Sequence, residues 1–295
     1  VIRVAALFLA LATVSPVLAA RIVHSQTSLY QNIIVTDDGS LRCMQFTVRK
    51  DQRNQSCVDL KAPLRLVFPY TRMMLASLLL DPSPTNVLIV GLGGGTLPAT
   101  LARLYPNARV DVVELDPAVV VVAKAYFDFA PTPNMNVFEQ DARVWVKRAA
   151  SAPRRYDLVM LDAFNGDYIP EHLMTREYLL EVRELLVDGG IVAANTFAIS
   201  QLYHNESVTY ESVFGTFYNL KSEETANRVI IARRGALADE PTLERAAEPL
   251  IAPLRPYGVP IERYPAQMKT TADWKRDARV LTDQYSPANL LKGRP

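Results

Sequence analysis

The feature that most constrains this chain is Val87-Leu88-Ile89-Val90-Gly91-Leu92-Gly93-Gly94-Gly95-Thr96, an aliphatic run that breaks off into a glycine cluster. Consecutive aliphatic residues without polar alternation read as a strand buried on both faces, the mark of a parallel sheet. The glycines permit a tight turn and bring backbone N–H groups close to whatever binds there. Leu97 to Tyr105 has helical spacing, and Arg109 to Leu115 reads as the next strand, with Glu114 at its tip and Asp116 just beyond. The unit is strand, glycine turn, helix, strand. Glu114 stands about 20 positions past the loop, where a carboxylate can accept hydrogen bonds from both hydroxyls of a ribose.

The loop chemistry narrows the nucleotide. A phosphate-cradling P-loop ends in Gly-Lys-Ser or Gly-Lys-Thr, which is absent. A dinucleotide fingerprint starting at Gly91 requires glycine or alanine at position 96, where this chain has Thr96, and no Lys or Arg lies in the loop to meet a pyrophosphate. An adenosyl compound without phosphate, of the S-adenosyl type, fits better. A glycine turn that only packs helix on strand is the plainer alternative, and the position of Glu114 argues against it.

The alternation continues along the chain. Residues 21–62 read as a small antiparallel β region, with strands over Arg21 to Ser25, Tyr30 to Thr36 and Leu41 to Val48. Leu64 to Leu80 has helical spacing and predicts a helix that Pro82 and Pro84 end. Helices are then expected over Pro117 to Phe127, Ala142 to Ala149, Thr175 to Val187 and Glu206 to Phe214. Strands are expected over Asn136 to Glu139, Tyr156 to Leu161 and Gly190 to Thr196, with a final pair near Phe217 to Leu220 and Arg228 to Ala232. The fold class is α/β, a Rossmann-like doubly wound sheet preceded by a small antiparallel β region. Residues 63–235 form the nucleoside-binding domain, and residues 236–295, with one predicted helix over Pro241 to Ala252, form a tail wrapped on it.

Composition limits the partners. The 295 residues are 49% hydrophobic with a net charge of +1 and no basic block, which argues against nucleic-acid binding. Three histidines and two separated cysteines offer no zinc-ligand spacing, so no metal is expected. Residues 1–20 combine Arg3, the apolar run Val4 to Val14 and a small-residue end at Val17-Leu18-Ala19-Ala20, the pattern of an export signal. An uncleaved inner-membrane anchor, the tail of a transmembrane region and a cytoplasmic location are the competing readings. In an oxidising compartment Cys43 and Cys57 could close a disulfide worth about 3 kcal/mol on a chain-entropy basis; elsewhere they would be two small buried side chains.

In an open parallel sheet ligands bind beyond the carboxyl ends of the strands. The residues to inspect are Gly91 to Thr96, Glu114 to Pro117, Gln140-Asp141-Ala142, Asp162 to Pro170 and Asn195-Thr196. Glu114, Asp116, Glu139, Asp141, Asp162 and Asp167 make this end acidic, which favours a cationic substrate. Helix capping is the plainer role for any of them, and above all for Asp116 before Pro117.

Val90-Gly91-Leu92-Gly93-Gly94-Gly95, Val113-Glu114-Leu115-Asp116-Pro117, Gln140-Asp141-Ala142, Tyr156-Asp157-Leu158-Val159-Met160-Leu161-Asp162 and Thr175-Arg176-Glu177-Tyr178 together resemble the spermidine synthase family of polyamine aminopropyltransferases, over residues 25 to 235. The resemblance is closest to the bacterial spermidine-synthase-like branch, some of whose members are fused to membrane segments. It implies an S-adenosylmethionine-dependent methyltransferase-type fold, with decarboxylated S-adenosylmethionine as co-substrate and no tightly bound cofactor. By that resemblance Gly91 and Gly93 to Gly95 approach the nucleoside, Glu114 takes the ribose hydroxyls, and Asp141 with Ala142 reads the adenine. Asp162 corresponds to the catalytic aspartate, and Tyr70, Thr96, Asn165 and Asp167 fall at the amine and aminopropyl end.

Two positions depart from the family pattern. Thr96 stands where the loop usually carries aspartate, and Asn165 stands where a second aspartate follows the catalytic one. Both changes remove negative charge from the amine site, and Asp167 and Glu171 are placed to compensate. The expected function is aminopropyl transfer to a polyamine-type amine. The alternatives are an S-adenosylmethionine-dependent methyltransferase and a non-catalytic nucleoside- or polyamine-binding protein. Membrane association through residues 1–20 and self-association through the N-terminal β region are the candidate larger-scale contacts.

Overall fold

The structure, a computed structural model, describes residues 20–47, 53–164 and 168–288. Four antiparallel strands come first, in the order β1 (Arg21–Thr27), β2 (Asn32–Asp38), β3 (Leu41–Thr47) and β4 (Arg53–Asp59). Alternate residues of the middle strands, Ile33, Val35, Met44 and Phe46, point to one side and are buried against α3 (Pro117–Tyr126) through Val119 and Val122. Val120 and Ala123 of the same helix pack on the main sheet instead, so α3 is apolar on two sides and joins the two sheets. Cys43 and Cys57 face each other directly across β3 and β4, with Cα atoms 4.1 Å apart, and are joined in a disulfide.

The second sheet has seven strands: β5 (Asn86–Val90), β6 (Arg109–Glu114), β7 (Met135–Glu139), β8 (Tyr156–Leu161), β9 (Leu186–Phe197), β10 (Tyr218–Lys221) and β11 (Asn227–Arg233). Their spatial order is β10-β11-β9-β8-β5-β6-β7; all pairs from β9 to β7 are parallel, and β11 and β10 add antiparallel strands at one edge. Alternate residues of each central strand face opposite layers. Val87 and Ile89 pack with α2 (Thr96–Leu104) and α7 (Glu240–Leu254), whereas Leu88 and Val90 pack with α4 (Ala142–Ala150), α5 (Arg176–Glu184) and α6 (Tyr203–Phe214). The chain leaves β5 for β6 and β7 on one side and returns to β8 on the other. The crevice of the fold therefore opens between β5 and β8, above Val90 and Leu161.

Two predicted helices are shorter than their spacing suggested. The first, α1 (Pro69–Met74), begins only at Pro69 and continues as a 3-10 turn over Leu75–Leu79. A residue before proline is kept out of the helical region, and Phe68 accordingly adopts φ −80° and ψ 135°, while Pro69 fills the first helical position, where its missing N–H costs nothing. The second, α5, starts after Thr175, whose hydroxyl caps Tyr178 N–H, and stops at Glu184 because Leu186 already pairs with Tyr156 in the sheet. The tail helix α7 sets Leu243, Ala247, Leu250 and Leu254 on one stripe against the core. Each of its leucines contributes about 1.5–3 kcal/mol, an upper bound for an extended unfolded chain. Among the described residues no helix is long and apolar enough to cross a membrane. The export or anchor reading of residues 1–20 concerns a segment of which only Ala20 is described.

Candidate active site

A cavity of about 1000 Å³ lies over the carboxyl ends of β5, β6, β8 and β9, roofed by Gln55 and Ser56 of β4 and by Tyr30 and Gln31 of the β1–β2 turn. Its floor is the glycine loop. Gly91 has φ +98°, and a Cβ there would lie 2.3 Å from the Asp162 carbonyl oxygen, so strands β5 and β8 approach this closely only around glycine. Gly91 and Gly93 line the cavity. Gly94 and Gly95 do not: they are buried, and a Cβ on Gly94 would strike Ser56 Oγ at 2.7 Å and Phe127 at 2.9 Å, one on Gly95 Phe129 at 2.3 Å. Their smallness serves the packing of β4 and of the segment after α3 on the loop. Gly95, at φ +77°, also occupies the N-cap position of α2, which makes Thr96 the first helical residue; Thr96 lines the cavity and is not the cap that a helix starting at Leu97 would require.

Glu114 ties this loop to the turn after β6, one carboxylate oxygen to each. Oε2 accepts Leu92 N–H at 2.9 Å and Oε1 accepts Asp116 N–H at 3.0 Å. Burial pushes its pKa up, and those backbone donors work against the shift. Asp116 caps α3 through Ala118 N–H and accepts a short bond from the Ser28 hydroxyl, as its position before Pro117 suggested. Asp141 caps α4 at Val144 N–H with Oδ1 and meets His172 Nε2 at 3.0 Å with Oδ2; Ala142 follows on the cavity wall. Glu139 turns away: it is exposed and lies outside the cavity lining.

Asp162 projects from the end of β8 into the crevice. Its Oδ1 accepts Asn195 Nδ2–H at 2.9 Å and its Oδ2 accepts the Tyr70 hydroxyl at 3.4 Å, so the carboxyl meets side chains rather than capping a helix. Burial raises its pKa to about 7, against the lowering effect of those two donors. The Tyr70 phenol is pushed well above its usual range by burial and by the neighbouring carboxylate. Asn165 and Asp167 lie outside the described residues.

Several lining residues carry no sequence signal of a role. Asn195 stands at a strand end, and Asn227, its partner at 2.9 Å, comes from β11. Arg143 lines the wall beside Ala142, held by Glu181 at 2.6 Å and by both oxygens of Asp283 at 3.0 Å. Asp283, Gln284 and Ser286 belong to the tail, which thus forms part of the wall. Glu114, Asp116, Asp141, Asp162, Glu171 and Asp283 line this cavity with Arg143 as the one Lys or Arg among the described lining residues, so the interior is acidic.

A family model described as spermine/spermidine synthase domain matches residues 67–222. A polyamine aminopropyltransferase of Vibrio vulnificus (strain CMCP6) is 50% identical over 274 residues, covering 92% of this chain and 91% of that protein. Among solved structures, a probable spermidine synthase from Corynebacterium glutamicum ATCC 13032 has a TM-score of 0.66 at 20% identity, over 87% of this chain and 98% of that one, a likeness of fold. Human Methyltransferase-like protein 13, in complex with SAH, has a TM-score of 0.59 at 26% identity, over 64% of this chain and 93% of its own. The architecture is thus the Rossmann-like one common to methyltransferases and spermidine synthases, and the chain belongs to the spermine/spermidine synthase family.

Proposed function

We propose that this protein is a polyamine aminopropyltransferase, moving an aminopropyl group from decarboxylated S-adenosylmethionine to a polyamine-type amine. The half-identical aminopropyltransferase that covers nearly the whole chain supports the reaction class, whereas the human methyltransferase likeness covers less of it. The observation that carries the mechanism is the Asp162 carboxyl, half-buried at the strand tip between Tyr70 and Asn195, with a pKa raised to about 7 in an acidic cavity.

An amine arrives as an ammonium and has no lone pair to donate. Asp162, in its ionised form, takes one ammonium proton; a base whose pKa lies close to the working pH is well matched to this step. The freed nitrogen then attacks the methylene carbon next to the sulfonium. The carbon–sulfur bond breaks, its electron pair stays on sulfur, and methylthioadenosine leaves as a neutral thioether. The acidic wall favours the cationic acceptor and the cationic donor alike.

In this reading Gly91 and Gly93 approach the nucleoside, and Glu114, held by Leu92 and Asp116 N–H groups, keeps free lone pairs for the ribose hydroxyls. Asp141 and Ala142 receive the adenine, Tyr70 borders the amine, and Thr96 faces the propyl end; Asn165 and Asp167 complete the amine site. Three further readings accompany it: residues 21–62, 63–235 and 236–295 as separate units of organisation, self-association through the four-stranded sheet, and export or anchoring through residues 1–20. The Cys43–Cys57 bond supports the last, because such bonds persist in oxidising compartments.

The test is release of methylthioadenosine from decarboxylated S-adenosylmethionine in the presence of an aliphatic diamine. Wild type should turn over, and Asp162→Asn should lose about 10²–10⁴-fold in kcat while binding methylthioadenosine normally. Absence of release with every diamine, alongside methyl transfer from S-adenosylmethionine, would replace this reading by the methyltransferase one.

A further inference from the structure

Asp162 sits at the end of a directed chain of hydrogen bonds that starts outside the cavity wall. The Thr225 hydroxyl donates to Asn227 Oδ1 at 2.7 Å, Asn227 Nδ2 donates to Asn195 Oδ1 at 2.9 Å, and Asn195 Nδ2 donates to Asp162 Oδ1 at 2.9 Å. The two asparagines come from adjacent antiparallel strands: Asn195 pairs with Val229, which places Asn227 one diagonal step away. Asn195 is 3% exposed, so its amide has no water to satisfy it and depends on these partners.

The direction of the chain follows from chemistry. An ionised carboxylate only accepts, so Asn195 must turn its N–H₂ toward Asp162, which leaves its carbonyl oxygen pointing at Asn227. That oxygen requires a donor, so Asn227 must also present its N–H₂. The Asn227 oxygen then faces Thr225, whose hydroxyl can rotate to donate. Every link is set by the one before it, and reversing any amide would place two oxygens or two N–H₂ groups face to face.

We infer that Asn227, backed by Thr225, is a positioning residue for the proton acceptor: it locks the Asn195 amide with its N–H toward Asp162, which favours the ionised carboxylate and leaves Oδ2 for the amine. The inference rests on the aminopropyl-transfer reading for its kinetic meaning. The chain favours ionisation of a group whose ionisation partial burial opposes, and bonds in such a series polarise one another. Tyr70 from α1 is the titratable group hydrogen-bonded to Asp162; the other titratable or charged groups lining the cavity, among the described residues, are Tyr30 in the β1–β2 turn, Glu114 and Asp116 at the end of β6, Asp141 and Arg143 at the start of α4, Tyr168, Glu171 and His172 beyond β8, and Asp283 in the tail.

Asn227→Asp keeps the shape and removes the donor. The carboxylate it introduces, once ionised, would draw the Asn195 N–H₂ to itself and turn the Asn195 oxygen onto Asp162, which then must carry a proton. Asn227→Ala removes the donor without adding charge. Both should move the acid limb of the kcat–pH profile upward, Asn227→Asp by about one unit or more and Asn227→Ala by less, with KM for the adenosyl donor little changed. The rate loss, about tenfold below the midpoint for Asn227→Asp, should shrink as the pH is raised. A second readout needs no turnover: the infrared band of the protonated carboxyl, assigned by its loss in Asp162→Asn, should titrate at higher pH in both variants. An acid limb and a carboxyl band that stay in place in Asn227→Ala would overturn the inference, including the case where only Asn227→Asp shifts, since added charge alone explains that. If wild type does not turn over, the reaction assignment fails, while the infrared titration still decides the role of Asn227.

Discussion

The backbone carbonyl of Asp162 occupies the space that a side chain on Gly91 would need, 2.3 Å from where its Cβ would be. The turn after β5 and the tip of β8 are therefore mutually dependent. Gly91→Ala combines a positive φ, costing about 1–2 kcal/mol, with an overpacking cost of about 1–3 kcal/mol. It should lower the melting temperature and displace Asp162, reducing turnover. Gly39→Ala is the control, because Gly39 has φ +59° with nothing within 4 Å of its Cβ position, so only the backbone cost applies. Equal melting temperatures for the two variants would refute the steric account.

Glu114 holds the loop and has lone pairs to spare, and Glu114→Ala should weaken methylthioadenosine binding by about 1.5–3 kcal/mol, the worth of charge-assisted hydrogen bonds. Calorimetry on both proteins checks this. Unchanged affinity would remove Glu114 from the ribose contact.

Asp162 ties stability to pH. Its carboxyl has an ordinary value of 3.8 and a folded value of about 7, so the folded state holds this proton more tightly than the unfolded chain. Stability contributed by this group is full below about pH 4, falls as the pH rises toward 7, and is lost above it, by on the order of 4 kcal/mol at most. Asp162→Asn removes the titration. The variant should gain melting temperature over wild type at about pH 8 and show a much smaller gain at about pH 4; equal gains at both would show that Asp162 does not titrate in this window.

A clasp at Asp283 fastens the tail to the site. Asp283 takes both Arg143 terminal nitrogens and the Thr175 hydroxyl, and Leu281 is pinned by a backbone bond from Arg176 N–H to its carbonyl and a bond from its own N–H to the Thr209 hydroxyl. The Arg143 pair holds the Asp283 carboxyl below its ordinary range. Since Asp283 is about half exposed, the pair is worth about 1 kcal/mol. Asp283→Asn should raise KM for the adenosyl donor several-fold, with a smaller change in kcat, and the difference should narrow at high salt. A KM equal to wild type at low salt would mean the tail wall does not shape the donor site.

Thr96 lines the cavity as the first residue of α2. A hydroxyl there cannot repel the carboxylate that distinguishes S-adenosylmethionine from its decarboxylated form, so wild type should discriminate poorly between the two. Thr96→Asp places a negative charge at a helix N-terminus, which tolerates it well, and should favour the decarboxylated donor by about 1–3 kcal/mol. Competitive titration of both ligands is the measurement. A strong wild-type preference that the substitution leaves alone would place selectivity elsewhere.

What the sequence by itself determined is local: the aliphatic run of β5, the glycine turn, the helix behind it, and the acidic residues Glu114 and Asp162 at strand tips. Each follows from periodicity or from neighbours a few residues away; the start of α1 does not, because apolar spacing points to Leu64 whereas Pro69 keeps Phe68 out of the helix. Tertiary structure alone decided which glycines meet the cavity, because Gly94 and Gly95 are claimed by Phe127 and Phe129, more than thirty positions on. It also decided that Asn227 orients Asn195 and that Asp283 clasps Arg143. Those contacts depend on strand order and on where the tail returns, and hydrogen bonds between residues 32 or 140 positions apart leave no trace in the spacing of either.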